Sequence, residues 1–359
     1  TTLSFSLTHS HSLSFSVSTC LSSPSTLSLR PYNQVSSPKQ HRCVGAVRSM
    51  SANGPQMPSL AGLVAGVVPP LTPAAHKGQA GRIGIMGGSL EYTGAPFYCA
   101  MTALRMGADL AHVFCHRDAA IPLKTYSPEL IVHPLLDAAD PLTELEEWLP
   151  RLHALVLGPG LGRRPQTFAT LGHVLEAAKD RQLLLVLDAD ALFYLNENYD
   201  TIQGYSNALL TPNKVEFARL YRAVMKADMR AEGVTAEHVQ QVATRLGVTI
   251  ACKGAVDIIA SGDGVVRCEV VGSPRRCGGQ GDVLSGAAAI LLYWAYGTAA
   301  ATQEQPIYPP TVLAGWGACA LTRRAASLAF SQRGRGTLTT DMLPCISQAF
   351  NSLFEGKTK

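Results

Sequence analysis

The 359-residue chain has no Asp or Glu before Glu91, and its early charges are few and basic: Arg30, Lys39, Arg42 and Arg48. Nine cysteines occur singly, without a CxxC pair. An odd, scattered set excludes a disulfide framework and the common zinc-finger spacings, and it points to a reducing compartment. There is no HExxH helix motif, no GxxxxGK[ST] phosphate loop and no Lys/Arg block. Net charge is only +4, so nothing suggests nucleic-acid binding. Residues 1–50 contain no apolar run near the eighteen or so residues that span a bilayer, and no membrane role is expected.

What the first fifty residues do have is serine, thirteen in the first forty. A serine-rich, acid-poor start reads as an organelle transit peptide or a disordered extension. We assign 1–55 to that segment and 56–359 to one folded domain. The little arginine leans towards chloroplast over mitochondrion, and Met50 or Met57 offers an internal start for a cytosolic form.

Beyond Pro69 short apolar runs alternate with helical stretches. Runs at 82–86, 110–115, 130–132, 154–157, 183–187, 208–210 and 248–252 read as strands. Leu183 to Leu187, apolar throughout, has the character of a central parallel strand buried on both faces. Val256 to Ala260 and Val265 to Val271 flank Ser261-Gly262-Asp263-Gly264 as a hairpin. Helices are expected at 96–106, 141–149, 167–178, from Lys214, at 236–246, 283–296, 310–329 and 340–353. The fold class is α/β: one doubly wound, mainly parallel sheet with helices on both faces.

Polar and glycine clusters follow the strand ends: Gly87-Gly88, Gly158 to Gly162, Asp188-Ala189-Asp190, Thr211-Pro212-Asn213 and Lys253-Gly254. Open α/β sheets gather ligands at that edge. Asp190 is expected to cap the following helix, while Asp188 is left open between a cap and a metal–nucleotide contact. Asn213 and Glu216 fit a capping box that still presents polar groups to a cleft. His112, His116 and His133 flank strands and read as packed or surface residues. The richest stretch is Arg275-Arg276-Cys277-Gly278-Gly279-Gln280-Gly281-Asp282, directly before an apolar helix. Backbone N–H groups at such a helix start attract an anion. Asp282 is then either a cap or a base beside a bound phosphate.

Taken together, Lys77-Gly78-Gln79, Tyr92 to Pro96, Tyr126 to Leu130, Gly158 to Gly162, Leu187 to Asp190, Thr211 to Asn213 with Glu216, Lys253-Gly254 with Asp257, Cys277 to Asp282 and Thr339 to Met342 resemble the ATP-dependent NAD(P)H-hydrate dehydratases of the ribokinase-like superfamily. The resemblance implies ATP-driven dehydration of hydrated NADH or NADPH, with Mg²⁺ accompanying ATP. It implies Asp282 as the catalytic base. Lys253, Gly254, Ala255, Val256 and Asp257, with Gly272, Ser273, Pro274, Arg275, Arg276, Cys277, Gly278, Gly279, Gln280 and Gly281, would contact ATP. Gly160, Asn213, Lys214, Val215, Glu216, Phe217, Ala218, Arg219 and Asp282 would contact the hydrated nucleotide. An NAD(P)HX epimerase as functional partner and a homo-oligomer belong to the same expectation. Two departures from the family pattern are Ala80 after Lys-Gly-Gln and Ala255-Val256 before Asp257. The alternatives are a ribokinase-like kinase for a small alcohol, or a nucleotide-binding protein without turnover.

Overall fold

In the computed structural model, which describes residues 58–229, 233–302 and 306–356, the alternation of apolar runs becomes a single sheet. Helix α1 (Leu60–Val67) precedes strand β1 (Arg82–Met86), α2 (Gly94–Met106), β2 (Leu110–Cys115), α3 (Arg117–Tyr126) and β3 (Leu130–Pro134). Next come α4 (Pro141–Trp148), β4 (Ala154–Leu157), α5 (Pro165–Asp180), β5 (Leu184–Leu187), α6 (Ala189–Asn198) and β6 (Ala208–Leu210). The chain continues through α7 (Lys214–Met225), α8 (Ala236–Leu246), β7 (Thr249–Cys252), β8 (Asp257–Ser261) and β9 (Gly264–Cys268). It closes with α9 (Gln280–Thr302), α10 (Pro310–Arg333), α11 (Thr339–Met342) and α12 (Ile346–Leu353).

Strand order is β3-β2-β1-β4-β5-β6-β7-β8-β9. Pairs from β3 through β7 are parallel; β7–β8 is antiparallel, and so is β8–β9, the hairpin expected around Ser261–Gly264. Alternate strand residues face opposite layers. Ile83, Ile85, Val156 and Val186 join the core under α1, α2, α9, α10 and α12. Met86, Leu155, Leu157, Leu185 and Leu187 join the core under α5 to α8. Both faces are covered, which is the doubly wound arrangement expected.

Two helices exceed the sequence expectation: α1 and α3. The first lies before the regular pattern begins, and the second contains Pro122 and few apolar residues. The serine-rich segment 1–55, assigned as a transit peptide or disordered extension, lies outside the described residues. Helix α9 is long and apolar enough to cross a bilayer by length and composition, but two-thirds of its apolar stretch is buried between α2 and α10. That is the environment of a core helix.

The α2–α9 contact fixes where α9 begins. A Cβ on Gly286 would lie 2.1 Å from the Cys99 carbonyl oxygen, a backbone atom that cannot swing aside. Gly286→Ala is therefore expected to force the helices apart and destabilise the fold by about 1–3 kcal/mol. Urea unfolding measures this, and an unchanged midpoint would show that the helices have slack.

Candidate active site

The carboxyl ends of β5, β6 and β7 and the amino end of α9 enclose a cleft of about 820 Å³. Asp188 enters from β5, Asn213 from the β6–α7 turn, Lys253 from β7 and Asp282 from the first turn of α9. Consecutive parallel strands converge these residues although 94 positions separate Asp188 from Asp282.

The stretch from Arg276 to Gly281, expected from sequence to hold an anion, forms one wall of the cleft, termed the anion wall. Its shape is set by side chains on either side. Ser273 Oγ accepts from the Arg275 N–H at 3.0 Å, Gln280 Nε2 donates to the Arg275 carbonyl at 3.2 Å, and Thr339 Oγ1 donates to the Gly278 carbonyl at 2.6 Å. The Tyr98 ring packs so close to Gly279, whose φ is +95°, that a Cβ there would lie 2.8 Å from it. Helix α9 begins at Gln280, three residues before the sequence suggests, so the last glycine and Asp282 belong to its first turn. The first turn of a helix leaves its N–H groups without intrahelical partners, and Gln280, Gly281 and Asp282 of that turn line the cleft.

Facing this wall, Asn213 caps α7. Its Oδ1 accepts from the N–H groups of Val215 (2.9 Å) and Glu216 (3.0 Å), while Glu216 Oε2 accepts from the Asn213 N–H at 2.8 Å. The capping box read from sequence is present, and it lines the cleft. Lys253 Nζ donates to Asp188 Oδ1 at 2.8 Å. Burial pulls the Lys253 pKa down, but Asp188 and Glu216 outweigh it and the net shift is upward, so the ammonium is retained. Burial, assisted by Asp188 and opposed by Lys253, pushes Asp282 up to about 7. Glu216 is likewise raised, chiefly by burial. A carboxyl poised near neutrality in a polar cleft suits proton transfer.

A family model described as NAD(P)H-hydrate dehydratase matches residues 83–348. That match spans the sheet and every wall of the cleft. This chain belongs to the NAD(P)H-hydrate dehydratase family. It is 48% identical to an ATP-dependent (S)-NAD(P)H-hydrate dehydratase of Ciona intestinalis, over 81% of this chain and 80% of the relative. The human protein of the same name is 48% identical over 82% of this chain and 84% of its own length. Among solved structures, a ribokinase-like superfamily protein from Enterococcus faecalis superposes with a TM-score of 0.67 at 22% identity, covering 82% of this chain and 95% of that one. The ADP/ATP-dependent NAD(P)H-hydrate dehydratase of Bacillus subtilis, crystallised with ATP and Mg²⁺, gives 0.58 at 22%, covering 80% and 96%. These two likenesses establish the ribokinase-like fold.

In this dehydratase-family chain the cleft collects most of the residues singled out from sequence. Lys253, Gly254, Ala255 and Asp257 line it, as do Arg276 to Gly281, Asp282 and Asn213 to Glu216. Others lie elsewhere. Phe217 is buried in the core beneath α7. Ala218 is half-buried on the same helix, outside the cleft lining, whereas Arg219 borders a small neighbouring cavity with Arg163 and Asn196. Gly160 sits under Tyr92, whose carbonyl oxygen and Cβ would lie 2.9 and 2.8 Å from an added Cβ. Val256 is exposed, and Gly272 to Arg275 support the anion wall from behind. The Ala80 N–H donates to Asp109 Oδ2 at 2.9 Å before β1 starts, on the sheet edge opposite the cleft. That departure therefore leaves the site untouched.

Asp190 does not cap α6 as expected. Its carboxylate accepts from the Gly162 N–H at 2.9 Å and from Arg163 Nε at 2.7 Å, stapling the Gly158–Gly162 loop. Sequence reasoning also missed the part played by α10, which brings Cys319, Thr322 and Arg323 to the cleft. Arg323 donates through Nε to Asp257 Oδ2 at 2.5 Å, and through Nη2 to Asp257 Oδ1 at 2.8 Å and the Gly254 carbonyl at 2.9 Å. Asp257 Oδ1 in turn accepts from the Gly254 N–H at 2.8 Å. Asp257 is thus a buried brace of the Lys253–Asp257 loop. Nothing in the helical pattern distinguishes Arg323 from a solvated arginine.

Proposed function

We propose that this protein is an ATP-dependent dehydratase that returns (6S)-hydrated NADH and NADPH to the reduced dinucleotide, releasing ADP and phosphate. The observation that carries the reading is Asp282, a carboxyl of near-neutral pKa on the first turn of α9, lining the cleft beside Gly278 to Gly281 and Lys253. Asp282 accepts the proton of the ring hydroxyl as its oxygen attacks the γ-phosphorus, and the bond to the ADP oxygen breaks. The C–O bond then breaks with its electron pair leaving on phosphate, the neighbouring ring carbon gives its proton to the departing phosphate or to water, and the double bond is restored. The N–H groups of Gly278 to Gly281 and the Lys253 ammonium stabilise the charge that moves onto phosphate oxygens. Asn213 to Glu216 and Arg219 hold the dinucleotide on the opposite wall.

Among the described residues no group of three His, Cys, Asp or Glu is placed to hold a metal, and Asp188 is engaged by Lys253. Mg²⁺ accompanying ATP would neutralise triphosphate charge, with the Lys253 ammonium beside it. An epimerase that interconverts the two hydrates would supply the substrate form, and delivery to an organelle by residues 1–55 fits their composition.

The test is incubation with hydrated NADH and ATP, following the near-ultraviolet absorbance of the reduced nicotinamide. Recovery that needs ATP and releases phosphate supports the reading. Recovery without ATP, or a stable phosphoester of another alcohol in its place, rejects it. Because the base must be ionised, kcat/KM is expected to fall about tenfold per unit as pH drops below about 7, the value set by Asp282. A profile flat down to about pH 5 would exclude Asp282 as the base.

A further inference from the structure

Asp188 occupies the N-cap position of α6, where an aspartate ordinarily turns back to the free N–H groups of its own helix. It makes no such bond. Its side chain is almost fully buried, and its Oδ1 is 2.8 Å from Lys253 Nζ. The next residue, Ala189, has φ +48°, a left-handed conformation that is strained for a residue with a Cβ. A forgone cap followed by local strain, both at the cleft wall, marks a carboxylate aimed for a task other than holding its helix.

What it is aimed at is the amino end of α9. An added Cβ on Gly281 would stand 3.3 Å from Lys253 Nζ and 3.7 Å from Asp188 Oδ2, so the ion pair lies directly against that glycine's backbone. On the other side, an added Cβ on Gly158 (φ +114°) would come within 1.9 Å of the Asp188 carbonyl oxygen, so the strand end cannot retreat. We propose that Asp188 is a positioning residue for phosphoryl transfer: its buried carboxylate locks the Lys253 ammonium against Gly281, one residue before Asp282. The inference rests on the reaction proposed above and adds a residue to it. A long lysine side chain samples many rotamers when free, and a buried partner leaves it one.

The same carboxylate acts on Asp282. The titratable groups facing Asp282 are Asp188 from β5, Lys253 from β7, Glu216 from α7, and Tyr98 and Cys99 from α2. Among the carboxylates of this set, Asp188 has the larger effect in keeping Asp282 protonated to higher pH, and Lys253 opposes it.

Two readouts that do not require turnover test the proposal: ATP affinity by calorimetry, and titration of the Asp282 carboxyl by ¹³C NMR, with the signal assigned through Asp282→Asn. In Asp188→Asn the Asp282 midpoint is expected to move down by about one pH unit, because a like charge is lost while the lysine remains. The acidic limb of kcat/KM moves with it. ATP dissociation rises about tenfold, and in a Lys253→Met background the same substitution adds less than about twofold, since both act through one contact. A merely structural role would lower the melting temperature and leave the midpoint in place, overturning the proposal, as would fully additive effects on ATP affinity. Should Asp188→Asn not fold, Lys253→Met serves alone. It must move the midpoint upward, and an unmoved midpoint rejects the arrangement. If the native protein fails to regenerate reduced nucleotide, the reaction falls, while the NMR midpoint and ATP affinity still judge Asp188.

Discussion

Asp282→Asn is expected to bind ATP with near-native affinity and to turn over hydrated NADH about 10²–10⁴-fold more slowly. The amide keeps the volume of the carboxylate but cannot take a proton, and an aliphatic hydroxyl is a poor nucleophile until one is taken. The N–H groups at the start of α9 and the Lys253 ammonium remain in place, so the nucleotide site survives. The substitution also has a stability signature. The folded-state pKa of Asp282, about 7, lies above the unfolded value, about 3.8. Between these values the unfolded chain has released a proton that the folded one still holds, so this group lowers stability as pH rises through that window. Asp282→Asn should therefore match the native protein near about pH 3.5 and exceed it near about pH 8, by on the order of 1–3 kcal/mol once water in the cleft is allowed for. Thermal melts at the two pH values measure the difference. Unchanged turnover would remove Asp282 as the base, and lower stability at the higher pH would contradict its environment.

The second large effect is expected at Arg323. Arg323→Met leaves Asp257, only 5% exposed, with its charge and without its guanidinium. Breaking one partner out of a buried pair costs about 3–5 kcal/mol. The Gly254 carbonyl also loses its donor, so the loop carrying Lys253 loosens and ATP affinity should fall at least about tenfold, a change of about 1.4 kcal/mol. Denaturant unfolding and calorimetry read the two losses separately. Adding Asp257→Asn to Arg323→Met removes the stranded charge and should recover part of the stability but none of the ATP affinity. Native affinity in Arg323→Met would show that the loop holds its shape alone.

The parts of this architecture visible in sequence are those governed by local rules. Strands β4 and β5 announce themselves as apolar runs because a strand buried on both faces has no polar positions to spare. Asn213 and Glu216 are legible because a capping box is a local pattern of two residues three positions apart. Helix α3 is not, since an internal proline and few apolar residues contradict the usual signal, and packing of Ala119, Ala120 and Leu123 decides instead. The fate of the acidic pair after β5 is equally hidden. Capping is local, whereas Asp188 answers to a lysine 65 residues later, and Asp190 to a glycine 28 residues earlier. The resemblance to a known family locates Asp282 and the anion wall, but it offers no role for α10.

The brace from α10 has an implication for biosynthesis. Arg323 is 66 residues downstream of the carboxylate it grips. While the chain is still emerging from the ribosome, the Lys253–Asp257 turn is complete in sequence yet lacks its guanidinium clamp. A nascent or prematurely terminated polypeptide ending before α10 would carry Asp188, Asn213, Lys253 and Asp282 without the guanidinium that braces the Lys253–Asp257 loop.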